Sequence, residues 1–190
     1  MEVSMDGMPI PEQVTMLFSD LSAFGRLAEG MKIEGYQPRF FDFFDYPLGV
    51  TWLGVPRNQT SGWQEAFAAL AFFKFGYDND LIYDESARTD AGQLVTDLEP
   101  KDLWKRLLEA GGIFDASHRH LNVTSVELPE FFKSFFWWKP NNISEEEWCL
   151  MEGVVAAAQW VYSLFPDDFY DLYFGQTEEY YFFAESGVYD

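Results

Sequence analysis

Cysteine, histidine, basic side chains and long apolar runs are all scarce in this 190-residue chain. A single cysteine, Cys149, rules out an internal disulfide framework and points to a reducing compartment. His118 and His120 are the only histidines, too few to build a nitrogen-rich metal site, and one thiol cannot complete a thiolate site. No stretch approaches the ~18 apolar residues of a membrane-spanning helix. Met1-Glu-Val-Ser-Met-Asp lacks the basic-then-apolar order of an export signal. A cytoplasmic location is therefore expected, in which the Asn-x-Ser/Thr triplets at Asn58, Asn122 and Asn142 have no role.

The shortage of bases is uneven. Lys and Arg number 12 against 32 Asp and Glu, a net charge of -20. Residues 1–73 hold nine acids and four bases, 74–139 twelve and eight, and 140–190 eleven and none. Such a field repels duplexes and anionic membranes and draws cationic partners inward. Disorder is not the explanation: twenty Phe, ten Tyr and seven Trp supply ample apolar area to offset chain entropy. The length suits one domain, 1–190. Lys139-Pro-Asn-Asn142 is the one plausible divider, setting 143–190 apart as an acidic aromatic module.

Helix signals dominate the pattern. Pro9 and Pro11 precede Val14, Leu17, Phe18, Leu21, Phe24 and Ala28 at spacings of three and four, up to Gly30. Ser61 to Gln64 fits a capping box before Trp63, Phe67, Leu70, Ala71 and Lys74, with Gly76 as the stop. Pro100 opens a helix through Leu108, and Pro129 a shorter aromatic one through Phe136. Ser144 and Glu147 make a second capping box, and Trp148, Met151, Val155, Ala158, Tyr162 and Phe165 continue the period to Pro166. This predicts one long buried helix with a narrow stripe of Glu146, Glu152, Gln159 and Ser163. Strands are predicted at 32–36, 39–45 and 50–55, at 121–125, and at 180–184. The expected class is α+β and helix-rich, several amphipathic helices packed with a small antiparallel sheet.

Few constellations carry chemistry. Asp115, His118 and His120 could face one way on a strand, but a polar loop is the simpler expectation. Asp78, Asp80, Asp84 and Glu85 miss the calcium-loop pattern, with Tyr83 where Gly is required and Thr89 where Glu is. Cys149 sits within a helical pattern beside Trp148, as a buried structural thiol does. Gly-x-Ser-x-Gly, a phosphate-cradling loop and His-Glu-x-x-His are all missing. The expectation is a protein without catalytic residues, metal or cofactor.

The remaining signal is the acidic aromatic C-terminus. Asp167, Asp168 and Asp171 share a face if Asp167 caps a helix, and Glu178, Glu179 and Glu185 follow among aromatics. Duplex DNA carries one charge per ~1.7 Å, so twenty excess negatives match roughly 34 Å of duplex. A 190-residue domain is on the order of 40 Å across, so the charge densities are comparable. In size, charge and lack of catalytic motifs the chain is similar to the small acidic inhibitors, including anti-CRISPR and anti-restriction proteins, used by bacteriophages and mobile elements. The resemblance implies a basic nucleic-acid-binding partner: a CRISPR effector or a restriction enzyme. Its arginines and lysines would meet Asp167, Asp168, Asp171, Glu178, Glu179 and Glu185, helped by Glu146 and Glu152, with Tyr170 and Tyr180 as aromatic anchors. Two alternatives stand beside it: an immunity protein covering a nuclease toxin, and a small-ligand or carbohydrate binder stacking its substrate on Trp52, Trp137 and Trp138.

Overall fold

The computed structural model describes residues 8–19, 36–80, 83–84, 94–95, 100–109, 121–141, 143–166 and 170–188. Its centre is a six-stranded, wholly antiparallel sheet. The strands are β1 (Arg39–Asp45), β2 (Leu48–Pro56), β5 (Thr124–Val126), β6 (Trp160–Ser163), β7 (Tyr170–Gln176) and β8 (Tyr180–Val188), in the order β1-β2-β8-β7-β6-β5. A separate two-stranded ribbon joins β3 (Tyr83–Asp84) to β4 (Leu94–Val95). The expected helix-rich class is thus overturned: the helices serve a dominant sheet.

That sheet is covered on both faces. On one side lie α1 (Pro11–Ser19) and α2 (Trp63–Asp78), with α3 (Pro100–Glu109) against α2. Val14, Phe67 and Leu70 pack there on Leu53, Val55, Phe174 and Phe183. On the other side, α4 (Leu128–Phe135) and α5 (Glu145–Ala156) set Phe131, Phe135, Trp148 and Met151 on Val50, Trp52, Tyr173 and Phe182. Alternate strand residues feed alternate cores, as the two-residue pleat requires. In β8, Tyr181 and Phe183 face α2, and Phe182 and Ala184 face α4 and α5.

Burial on both faces explains where periodicity misleads. The predicted helix through Phe165 ends at Ala156, and Trp160–Ser163 is β6, buried at all four residues. A strand covered twice shows no polar alternation, so its apolar run mimics a helix stripe. The aromatic and β-branched Trp160-Val-Tyr decides for the strand. Ser144 does cap α5, accepting from the Glu147 N–H at 3.4 Å. The Ser61 box does not form: Gly62 is the N-cap and has no side-chain cap, while Ser61, one residue before it, donates its N–H to Glu65 at 3.0 Å. Helix α2 then runs past Gly76 to Asp78. Predicted helix at 20–30 and strand at 32–35 lie outside the described residues.

Phe182 shows how tightly the sheet is keyed. Its cross-strand neighbours are Gly54 on β2 and Gly175 on β7. A methyl group on Gly175 would sit 2.4 Å from the Phe182 ring and 2.7 Å from the Trp160 carbonyl. One on Gly54 would sit 2.4 Å from the Trp52 ring. Both glycines leave room for rings lying across the strands, Trp52 and Phe182 being stacked at 5.7 Å.

Candidate functional site

The predicted acidic residues separate into two populations. Glu185 belongs to the inward one. Across the sheet the pairs Asp42↔Thr51, Thr51↔Glu185 and Glu185↔Leu172 form one row through four strands, facing α2. From α2, Lys74 reaches down to this row, 3.4 Å from the Glu185 carboxylate and 3.0 Å from Asp78. Lys74 and Glu185 are both buried, at 8% and 7% side-chain exposure, whereas Asp78 is half-exposed. At the outer end Asp42 accepts from the Thr51 hydroxyl at 3.3 Å and from the Tyr77 hydroxyl. The row and the helix enclose a narrow crevice of about 10 Å³, room for about one water, walled by Phe40, Leu53, Tyr77 and Phe183.

Asp171 is also engaged internally. In β7 rather than a helix, it accepts from the Ser163 hydroxyl and from the Phe165 N–H at 2.9 Å, closing the β6–β7 connection. Its charge and, above all, burial push the Tyr173 phenol up to about 12, against the opposing Ser134 hydrogen bond. Tyr162 is likewise raised to about 12, chiefly by burial, and its hydroxyl donates to the Pro9 carbonyl. At the start of α2, burial works against ionising Glu65, but hydrogen bonds from Ser61 and Tyr36 hold its carboxyl below the usual range.

The outward population lies on α5 and on the β7–β8 turn. Glu145, Glu146, Glu147 and Glu152 are all exposed, around an arc that also contains Leu150, 51% exposed. Gly153 opens onto empty space within that arc. Lys139 binds both oxygens of Glu145 at 2.8 Å, and that hydrogen bond raises the lysine's pKa. Glu146, Glu147 and Glu152 form no ion pair among the described residues. At the turn Glu178 and Glu179 are exposed. Arg57 lies beneath them, but its guanidinium donates to the carbonyls of Thr177 and Glu178, at 3.2 and 3.1 Å, and covers the Tyr181 ring.

Other expected positions resolve as follows. Asp167 and Asp168 lie outside the described residues; Tyr170 opens β7, but its side chain is outside them too. Tyr180 is half-buried, its ring edge-on to Trp52 at 5.5 Å. Trp52 is fully buried, so it cannot stack on a carbohydrate with Trp137, which is half-exposed and donates to Ser186. Cys149 is exposed on α5, contrary to the expected buried thiol. His118 and His120 lie outside the described residues, and among those described no cluster of His, Cys, Asp and Glu could hold a metal. No described helix is long and apolar enough to cross a membrane.

Sequence reasoning missed the inward row, although two signals for it exist. Lys74 stands on the apolar spacing of α2, and Glu185 shares the alternation of Tyr181 and Phe183. A charge in register with core residues points into the core. No family model, no curated protein and no solved structure matches this chain.

Proposed function

We propose that this chain is an acidic protein inhibitor that occupies a basic nucleic-acid-binding site on another protein, its carboxylates taking the place of phosphates. The partners that suit it are the enzymes of restriction and CRISPR defence, whose grooves present Arg and Lys to a nucleic-acid backbone. One observation carries the proposal: α5 and the β7–β8 turn hold Glu146, Glu147, Glu152, Glu178 and Glu179 outward, with no ion pair among the described residues. An ordinary surface mixes signs, because unbalanced like charges weaken the compact state. Leu150 within the arc adds the apolar centre that protein interfaces need beside a charged rim. Asp171 and Glu185 are engaged inside the fold and are not part of this surface.

The test is retention of a basic nucleic-acid-binding complex from a prokaryotic lysate, identified by mass spectrometry, followed by competition with that complex's own nucleic acid. Paired reversals Glu146→Lys/Glu147→Lys and Glu178→Lys/Glu179→Lys are expected to weaken binding at least tenfold and flatten its dependence on salt. Unchanged binding at moderate salt in both variants sinks the proposal.

A further inference from the structure

A strand at the end of a sheet offers a row of backbone donors and acceptors to any second strand, and folded proteins blunt such edges by keeping them short, bulged, covered or broken by proline or charge. Strand β5 follows that rule, with three residues. Strand β1, at the other end, is seven residues long, Arg39-Phe-Phe-Asp-Phe-Phe-Asp45, and pairs with β2 in unbroken register. Among the described residues no strand pairs with its outer side. Asp42, Phe44 and Asp45 are exposed there, and Phe44, at 57%, is one of the few large apolar side chains left in water. The three charges of β1 blunt this edge only against strands that they repel.

The strand does not repel itself; it complements itself. Turned end for end and set antiparallel about Asp42, it places Arg39 of one copy opposite Asp45 of the other, twice over. Phe40 then meets Phe44, and Phe41 meets Phe43. Cross-strand aromatic and opposite-charge pairs of this kind stabilise a ladder. Neither Arg39 nor Asp45 has an ion pair among the described residues; Arg39 lies over the Phe41 ring at 5.2 Å. The faces agree as well. Phe40 belongs to the core under α2 and Phe43 to the core under α4 and α5, so exposed Phe44 gains an already buried ring on its own face. Moving the centre by one residue sets Arg39 against Phe43, or Asp45 against Phe41, and loses both charge pairs. The one unfavourable pair is Asp42 with its own copy, and that carboxylate is drawn away from the edge by the hydroxyls of Thr51 on β2 and Tyr77 on α2.

We propose that the outer edge of β1 is an interface between two copies of this chain, related by a two-fold axis at Asp42 that joins two six-stranded sheets into one. Because the axis crosses the sheet, both copies of α5 lie on the same face of it. The pairing uses none of the outward carboxylates of α5 or of the β7–β8 turn, so it stands apart from the inhibitor reading.

The test is sedimentation of the whole chain from about 1 μM to about 1 mM, a range that covers weak to moderate association. Moderate salt is used to screen the repulsion between two molecules at -20. A monomer–dimer equilibrium is expected. Arg39→Asp and Asp45→Arg each set like charges together and should each weaken dimerisation at least ~10-fold. The two combined exchange the pair and should restore it. Asp42→Asn removes the like charges at the axis and should tighten the dimer several-fold. In a Cys149→Ser background, Asp42→Cys should cross-link to its own copy on mild oxidation, whereas Asp45→Cys, about 20 Å from its twin, should not. A chain that stays monomeric across the whole range overturns the proposal. So does a dimer that Arg39→Asp leaves intact, that the double exchange fails to restore, or that cross-links as readily through Asp45→Cys as through Asp42→Cys.

Discussion

On one side of the sheet α2 carries Lys74 inward onto Glu185; on the other, α5 carries Glu146, Glu147 and Glu152 outward and gives the strands only Trp148, Met151 and Val155. Position in the layers accounts for the contrast. Helix α2 is buried around nearly its whole circumference, from Trp63 to Gly76, so any charge on it has to find a partner inside. Helix α5 is outermost, and its back is free to hold charge in water. Net charge alone therefore says little about a carboxylate's use. Glu185 meets Lys74 between the layers, whereas Glu146, exposed in the first turn of α5, adds only the small favourable interaction of an acid with the helix dipole.

The largest expected effect comes from breaking the inward pair. Lys74→Met leaves Glu185 buried beside a thioether and should cost about 3–5 kcal/mol in urea denaturation. Adding Glu185→Leu should restore most of that loss, because an apolar pair fills the gap without an uncompensated charge. A cost below that of an ordinary surface change would mean that both layers handle charge alike. Next is the seam that both layers share. Gly175→Ala pushes a methyl group against Phe182 and the Trp160 carbonyl and should cost about 1–3 kcal/mol.

Alkali should then loosen both layers together. Tyr162 faces α1 and α2, and Tyr173 faces α4; both phenols are raised to about 12 from an ordinary 10.0. A raised folded-state pKa gives stability that is complete below the unfolded value and is lost as pH rises through the folded one. Stability should accordingly fall between pH 10 and about 12, with tyrosinate absorbance appearing as the chain unfolds. Tyr173→Phe should reduce the fall but not abolish it. The smallest effect belongs to α5: Glu146→Gln or Glu152→Gln should change stability by no more than about 0.5 kcal/mol. Melting temperature should rise slightly from low to moderate salt as outward repulsion is screened. A flat response would show those carboxylates to be individually compensated.

Elements with sharp punctuation were legible in advance. Pro100 and Pro129 marked α3 and α4, and Ser144 the start of α5. Elements without contrast were not. Trp160-Val-Tyr-Ser163 is covered on both faces, so it carried no alternation to separate it from the helix before it. Two of the candidate acids suffered the same fate. Whether Asp171 and Glu185 pointed out or in depended on which residues were strand and in what register, and a single slip reverses every side chain.

Strand β8 lies between β2 and β7, and Arg57 at the end of β2 binds the Thr177 carbonyl across 120 residues of sequence. On the ribosome, hairpin β1–β2 emerges long before its central neighbour exists. At about 5–20 residues per second the inner edge of β2 is without β8 for roughly 6–24 s. Through that interval Val50, Trp52 and Leu53 have an open hydrogen-bonding edge and no sheet to lie in. Synthesis of this molecule thus contains a waiting period in which a chaperone, or a neighbouring nascent chain, competes for the place that residues 180–188 later fill.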